Sequence, residues 1–149
     1  MASLVGYSGT PLPAKLGIKP GMRVALLHAP DHIEATLGTL PEGVRLQHGL
    51  RRSHRVDLIV GFVTERDHLA RNIGWLVTTL PPDGALWVAW PKRSSRVPTD
   101  MSDHAVRDLA LPMGWVDVKV CAIDATWTGV KLVLRKELRP PIRPPPIVL

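Results

Sequence analysis

Cysteine, tyrosine and phenylalanine each occur only once in these 149 residues. A lone cysteine, Cys121, excludes a disulfide within the chain and is typical of a reducing compartment, so we expect a cytoplasmic protein. No stretch approaches the roughly 20 consecutive apolar residues that a membrane helix needs. The first 19 residues are polar and broken by Pro11 and Pro13, unlike a signal peptide or a membrane anchor.

Familiar catalytic signatures are also missing. The sequence contains no GxGxxG, GxxxxGK[ST], GxSxG or HExxH pattern, so no motif supports nucleotidase, hydrolase or zinc-protease chemistry. His28 and His32 are four residues apart, but His28 falls at a predicted strand end, so no metal site is predicted. We interpret Cys121 as structural, because no nucleophile motif or histidine neighbour accompanies it.

Apolar residues make up 45% of the chain and charged residues 21%, a composition typical of one globular domain. The net charge is +6, and the four basic residues and one acidic residue after Leu134 contribute +3 of it. A second basic concentration, with Arg51, Arg52 and Arg55, is a candidate for contacts with nucleic-acid phosphates. Its alternative is a loop whose charges only face solvent. We therefore do not expect nucleic acid to be the main partner.

Apolar runs between turn residues predict six strands, at about 22–28, 44–47, 56–63, 85–90, 115–123 and 127–135. Helical spacing predicts helices at about 31–39, 64–80 and 102–113, with Asp31 and Thr64 as caps of the first two. Alternating elements predict that the first four strands are parallel, with 56–63 inside the sheet because it is apolar on both faces. The last two strands form an antiparallel hairpin.

Side-chain alternation predicts which way several strand residues face. Trp87 and Trp90 have odd spacing and should lie on opposite faces of their strand. In the first hairpin strand, Val116, Val118, Val120 and Ala122 share one face, which we interpret as the core side.

Two segments resemble class I methyltransferases. Leu16–Val24 (LGIKPGMRV) is similar to their lead-in to the first strand, and Asp57–Lys92 to their fourth strand, helix and fifth strand. With the last helix and hairpin, the resemblance covers residues 14–136. The chain as a whole, with GYSGTPL, WPK, VPTD and DVKVCAID, resembles a family of small, mainly actinobacterial proteins classed as a domain of unknown function. That likeness implies a bacterial, cytosolic protein and brings no catalytic residue with it.

These observations predict a single Rossmann-like, methyltransferase-type α/β domain at 14–138. Its sheet should be mostly parallel, with a C-terminal antiparallel hairpin. Residues 1–13 form an N-terminal extension, and the proline-rich tail at 139–149 is expected to be disordered.

The resemblance also implies where S-adenosylmethionine would bind: at a glycine-rich turn after the first strand and an acidic residue at the end of the second. Here the turn reads LLHAP, with His28 and Pro30 at the glycine positions and Leu26 where an acidic residue is usual. At the end of the predicted second strand, the sequence is LQHG and contains no carboxylate. The sequence therefore predicts a non-catalytic, methyltransferase-like binding or regulatory domain, with no cofactor.

An alternative is a small-molecule or anion site, with or without catalysis, at the carboxyl ends of the parallel strands. The residues expected at this rim are His28, Asp31, Thr64, Trp90 and Lys92, assisted by helix N-termini at Asp31 and Thr64. In the competing interpretation, Asp31 and Thr64 are only helix caps, and His28 and Lys92 line a solvated edge.

The final hairpin carries Trp115 and Trp127 near its ends, beside a predicted sheet edge. Exposed tryptophans favour a protein partner or a two-fold homodimer through this region. The segment 147–149 could instead fold back over the same surface.

Overall fold

A computed structural model describes residues 9–140. The strands are β1 (Arg23–Leu27), β2 (Arg45–His48), β3 (Leu58–Phe62), β4 (Ala85–Pro91), β5 (Trp115–Ala122) and β6 (Trp127–Leu134). The helices are α1 (Leu12–Leu16), α2 (Ile33–Leu37), α3 (Arg66–Thr78) and α4 (Asp103–Ala110). Every predicted strand is present, with ends within two residues of those expected. Most of the proline-rich tail, including 147–149, lies outside the described residues. Within 9–140, no helix is long and apolar enough to cross a membrane.

The six strands form one mixed sheet in the order β2-β1-β3-β4-β6-β5. The first four strands are parallel, and β6 is antiparallel to both β4 and β5. All five residues of β3 are buried, and β3 lies inside the sheet, as its apolar sequence predicted. The predicted architecture, a mostly parallel sheet with an antiparallel C-terminal hairpin, is therefore confirmed.

Helices cover the sheet on both sides and create two cores. One core lies under α3 and α4 and includes Ile59, Leu86 and Trp90. The other lies under α1 and α2 and includes Val60 and Trp87. The predicted opposite orientation of Trp87 and Trp90 is thus confirmed.

Side chains of the sheet hold α1, a helix that the sequence analysis did not predict. The indole Nε1 of Trp87 donates a hydrogen bond to the Leu16 carbonyl at 2.9 Å, and Lys119 Nζ donates to the Lys15 carbonyl at 2.9 Å. The helix ends at Gly17, whose φ of +83° is in the left-handed region that glycine favours. Carbonyls that a helix end leaves unpaired are therefore satisfied by the sheet.

The two predicted helix caps were wrong. The residues at the N-cap positions are His32 for α2 and Glu65 for α3, and neither makes a side-chain cap hydrogen bond. At α3, the carboxylate of Asp100 instead accepts a hydrogen bond from the backbone N–H of Arg66 at 2.7 Å. Asp100, 34 positions further along the chain, thus caps the first N–H group of α3, a role that local spacing had predicted for Thr64.

The face predicted for the β5 valines was also wrong. Val118 and Val120 are 55% and 68% exposed, whereas Cys121 is buried in the core under α1 and α2. A β-bulge between Asp117 and Lys119 interrupts the alternation, and β5 is the outermost strand of the sheet. Trp115 is only 5% exposed, so it is not available as a surface anchor. Trp127, the other predicted anchor, is half-buried, and association through this hairpin stays a prediction.

The turn between β5 and β6 is organised by Asp124. Its Oδ1 accepts hydrogen bonds from the backbone N–H groups of Thr126 and Trp127 at 2.8 and 2.7 Å, and its Oδ2 lies 3.2 Å from His32 Nε2. Burial raises the pKa of the Asp124 carboxyl, but the hydrogen bonds from Trp127 and Thr126 and the contact with His32 outweigh it. The net result is a pKa below the usual range.

The lowered pKa of Asp124 predicts a pH-dependent contribution to stability. A carboxyl whose pKa is lower in the folded than in the unfolded state stabilises the fold above its unfolded pKa, about 4, and loses this contribution as the pH falls through the folded value. Asp124→Asn keeps an oxygen acceptor for the turn but removes the charge. We expect the wild type to be more stable than Asp124→Asn at pH 6 and the difference to shrink at pH 3, measured by urea unfolding. An equal difference at both pH values would contradict this prediction.

Candidate ligand site at the switch point of the sheet

The sheet has a topological switch point between β1 and β3. The chain leaves β1 towards β2 on one side, and leaves β3 towards β4 on the other. In open α/β sheets, the connections diverge at such a point and leave a crevice at the carboxyl ends of the strands, where ligands bind. Here the crevice is bounded by His28 after β1 and Val63 after β3.

A largely apolar cavity of about 350 Å³ opens at this crevice. Its walls are formed by the sheet, by α3 and by the loop that follows β2. The lining residues are Leu27, His28, Gly49, Leu50, Gly61, Phe62, Val63, His68, Leu69, Asn72, Trp75, Leu76, Leu86 and Val88. His28 and His68 also line an adjoining open groove, so they mark the mouth of the cavity.

The absence of a side chain on β3 accounts for part of this space. Gly61 lines the cavity, and a Cβ built at this position would have the Trp87 carbonyl oxygen, at 3.9 Å, as its nearest neighbour. An alanine would therefore fit without a clash. Glycine in a strand interior is less favourable than alanine by about 0.5–1 kcal/mol. The cavity is thus kept open at a small cost in stability.

The Trp75 wall of the cavity is fixed from two sides. Its Nε1 donates a hydrogen bond to Asn72 Oδ1 at 2.9 Å, and Asn72 Nδ2 donates to the His68 carbonyl at 2.7 Å. The Arg52 guanidinium carbon lies 5.3 Å from the centre of the Trp75 ring, a distance typical of a cation–π contact. The indole is therefore held both by α3 and by the segment 49–57 between β2 and β3, which contains Arg51, Arg52 and Arg55 and is called the basic loop.

His28 has a strained backbone at the mouth of the cavity. Its φ is +53°, a left-handed conformation that is uncommon for residues other than glycine. This is one of the two positions where the resemblance to methyltransferases leads us to expect a glycine. The ring packs edge-on against His68, with 5.1 Å between the ring centres.

The structure brings together only some of the predicted rim residues. His28 and Thr64 line the same groove, whose volume is about 250 Å³, whereas Asp31 and Lys92 line neither the groove nor the cavity. Trp90 is 8% exposed and belongs to the core.

The predicted assistance from helix N-termini stays a prediction. Helix α2 has only five residues, and at the N-terminus of α3 the carboxylate of Asp100 accepts a hydrogen bond from the backbone N–H of Arg66.

Three residues of α3 were missed by sequence reasoning: His68, Asn72 and Trp75. Their spacing of four and three residues is the signal that could have placed them on one helix face. That face meets the cavity only because α3 packs over β3 and beside the basic loop.

The basic loop uses part of its charge to hold its own shape. Arg55 Nη1 donates hydrogen bonds to the carbonyls of Arg52 and His54 at 3.2 and 2.8 Å, while Arg52 lies against Trp75. The backbone N–H of Arg51 bonds to His54 Nδ1 at 3.1 Å. Contact of Arg51, Arg52 and Arg55 with nucleic acid stays a prediction.

The end of β2 has a carboxylate nearby, but the strand does not supply it. Glu34 of α2 lies 3.3 Å from His48 Nε2, and Gln47 turns towards Gly49 and His54. Among residues 9–140, no group of three or more His, Cys, Asp or Glu side chains is placed to hold a metal ion.

No protein-family model and no curated protein matches the sequence. Solved structures do match. A SAM-dependent methyltransferase from Aquifex aeolicus is 14% identical, with 81% of this chain and 86% of that chain covered and a TM-score of 0.60. The DhpI–SAH complex is 9% identical, with 85% and 83% covered and a TM-score of 0.58. A ribosomal protein L11 methylase from Lactobacillus delbrueckii subsp. bulgaricus is 14% identical, with 82% and 74% covered and a TM-score of 0.55. At these identities the likeness is one of fold: this chain has a methyltransferase-like Rossmann fold.

Proposed function

We propose that this chain is a non-catalytic binding domain that keeps the methyltransferase frame and takes a small molecule in the cavity between β1, β3 and α3. The observation that carries the proposal is the position of the cavity. A mostly apolar space of about 350 Å³ lies at the switch-point crevice, and its volume falls within the range of ordinary ligand sites.

The residues around the cavity argue against S-adenosylmethionine as the ligand. Where a close backbone approach needs glycine, the His28 side chain is present, and β2 itself supplies no carboxylate for the ribose, the nearby Glu34 being a residue of α2 that contacts His48. The lining is apolar apart from His28, His68 and Asn72, which suits a hydrophobic molecule better than a nucleoside carrying a sulfonium and an amino acid. The methyltransferase-like fold therefore supports binding at the familiar crevice, with a different ligand.

The first test is calorimetric titration of the full chain with S-adenosylmethionine and with 2-methylnaphthalene, a neutral two-ring probe. We expect no micromolar binding of S-adenosylmethionine, and measurable binding of the probe. Micromolar binding of S-adenosylmethionine would overturn the proposal.

A variant of the cavity floor shows where the probe binds. Gly61→Leu places a side chain in the cavity and should weaken probe binding by roughly tenfold or more, since a ligand cannot share space with close-packed side chains. Gly74→Leu is the matched control, because Gly74 is exposed on α3 and a Cβ added there would have no neighbour within 4 Å. Equal probe affinity in the wild type and both variants would contradict binding in this cavity.

A further inference from the structure

We infer that the cavity takes a two-ring aromatic acid, with its rings between β3 and Trp75 and its carboxylate at the mouth between His28 and His68. This inference rests on the proposed function and adds the chemical class of the ligand. Two observations carry it: the size of the largely apolar cavity, and the two imidazoles at its mouth, which make no hydrogen bond within the described residues.

The apolar part of the cavity fits two fused rings. Its volume of about 350 Å³ is roughly twice that of a cavity of about 150 Å³ that binds benzene. Trp75 supplies a flat wall, fixed by its hydrogen bond to Asn72 and by Arg52. A planar ring can stack against an indole in the offset arrangement that aromatic pairs favour.

The polar side chains that line both the cavity and the adjoining groove are two imidazoles, those of His28 and His68. Asn72 uses its amide oxygen for Trp75 and its amide nitrogen for the His68 carbonyl. The backbone N–H groups of Gly49 and Val63 are bonded to the carbonyls of Leu26 and Ala89. In contrast, within residues 9–140 neither the His28 nor the His68 ring makes a hydrogen bond or an ion pair. An imidazole N–H donates readily to a carboxylate oxygen.

The charges around the mouth favour an anion over a cation. The loop beside the cavity carries the exposed side chains of Arg51 and Arg52, and the Arg52 guanidinium lies over Trp75. Arg55, at the other end of the loop, lines a separate cavity with Arg23. Among the residues that line the groove at the mouth, Glu65 is the carboxylate that opposes Arg51 and Arg52. Two guanidinium groups against one carboxylate produce a positive field that attracts an acidic ligand.

The test is a calorimetric comparison of three probes with the same rings: 2-naphthoate, 2-methylnaphthalene and 2-naphthylmethylammonium. We expect 2-naphthoate to bind the full chain tightest, by about tenfold over the neutral probe, as a hydrogen bond to a charged group would provide. Amide shifts of Gly49 and Gly61 in NMR spectra should report each bound probe.

Variants of the mouth separate recognition of the acid from binding of the rings. His28→Asn retains a residue that tolerates the left-handed backbone, and His68→Gln retains a good helix former. Each variant should weaken the binding of 2-naphthoate by about tenfold, while the affinity for 2-methylnaphthalene changes by less than about twofold. Glu65→Gln is the charge control, and it should strengthen the binding of 2-naphthoate only.

The outcomes distinguish this inference from the proposed function. If 2-methylnaphthalene binds as tightly as 2-naphthoate, and both histidine variants leave the two affinities alike, the inferred carboxylate of the ligand is contradicted, while the proposed binding function is retained. Tightest binding of the ammonium probe would also contradict the inferred carboxylate. If none of the three probes binds or shifts the Gly49 and Gly61 amides, both proposals fail.

Discussion

Trp87→Ala is expected to lower the free energy of unfolding by about 3–5 kcal/mol, as the removal of a fully buried aromatic side chain does. Trp87 lies in the middle of β4 with none of its surface exposed. A Cβ added at Gly129 would lie 3.3 Å from its ring, which shows how closely the neighbouring strand β6 packs there. The substitution therefore leaves a large void between the sheet and α1.

The same substitution also removes the hydrogen bond from Trp87 Nε1 to the Leu16 carbonyl, so α1 should be loosened first. Trp87→Phe separates the two effects, because it retains a large ring but leaves the carbonyl without its partner, at a cost of about 1–3 kcal/mol. Urea unfolding gives the stabilities, and hydrogen exchange of Leu16 to Lys19 reports on α1. A loss below about 1 kcal/mol for Trp87→Ala would contradict the packing described for this core.

Val60→Asp is expected to cost about 4 kcal/mol or more, which places a marginally stable domain near unfolding. Val60 is 1% exposed on β3, with parallel neighbours on both sides and helices over both faces. A carboxylate introduced there has neither water nor a cation to compensate its charge. The stability, measured by chemical unfolding, should fall steeply as the pH rises and the new carboxyl ionises.

Val120→Asp is the matched control for this charge. Val120 is 68% exposed on β5, so the same substitution should change the free energy of unfolding by less than about 0.5 kcal/mol. Similar losses for the two variants would mean that the valines of β5 are covered in solution, by a second copy, by another protein or by the tail.

The sheet could be predicted because its strands are apolar runs between turn residues, and β3 in particular has no polar residue that could face solvent. Elements that depend on partners distant in the chain could not be predicted. Helix α1 has five residues and two flanking or internal prolines, too short for a periodic pattern, and hydrogen bonds from Trp87 and Lys119 attach it to the sheet. The Asp100 cap of α3 involves a residue from another loop and leaves no local signal.

The site was predicted only where it follows from strand ends. His28 and Thr64 follow β1 and β3, and both line the groove at the crevice. Trp90 was expected at the rim, but β4 continues through Pro91 and the indole packs into the core under α3 and α4. The cavity itself depends on how far α3 stands from Gly61, a distance that no residue pattern encodes.

The loop between β2 and β3 is a second place where the cavity can open. Between Leu50 and Arg55 the described backbone makes one internal hydrogen bond, from the His54 N–H to the Arg51 carbonyl, and most of the other contacts come from side chains. Such a segment opens locally at a much lower free energy than the global unfolding of a sheet. A loop fluctuation that separates Arg52 from Trp75 would therefore widen the cavity beyond its mouth at His28 and His68 without a disruption of the core. For a ligand of the proposed kind, the dissociation rate, more than the association rate, would then depend on the strength of the Arg52 contact.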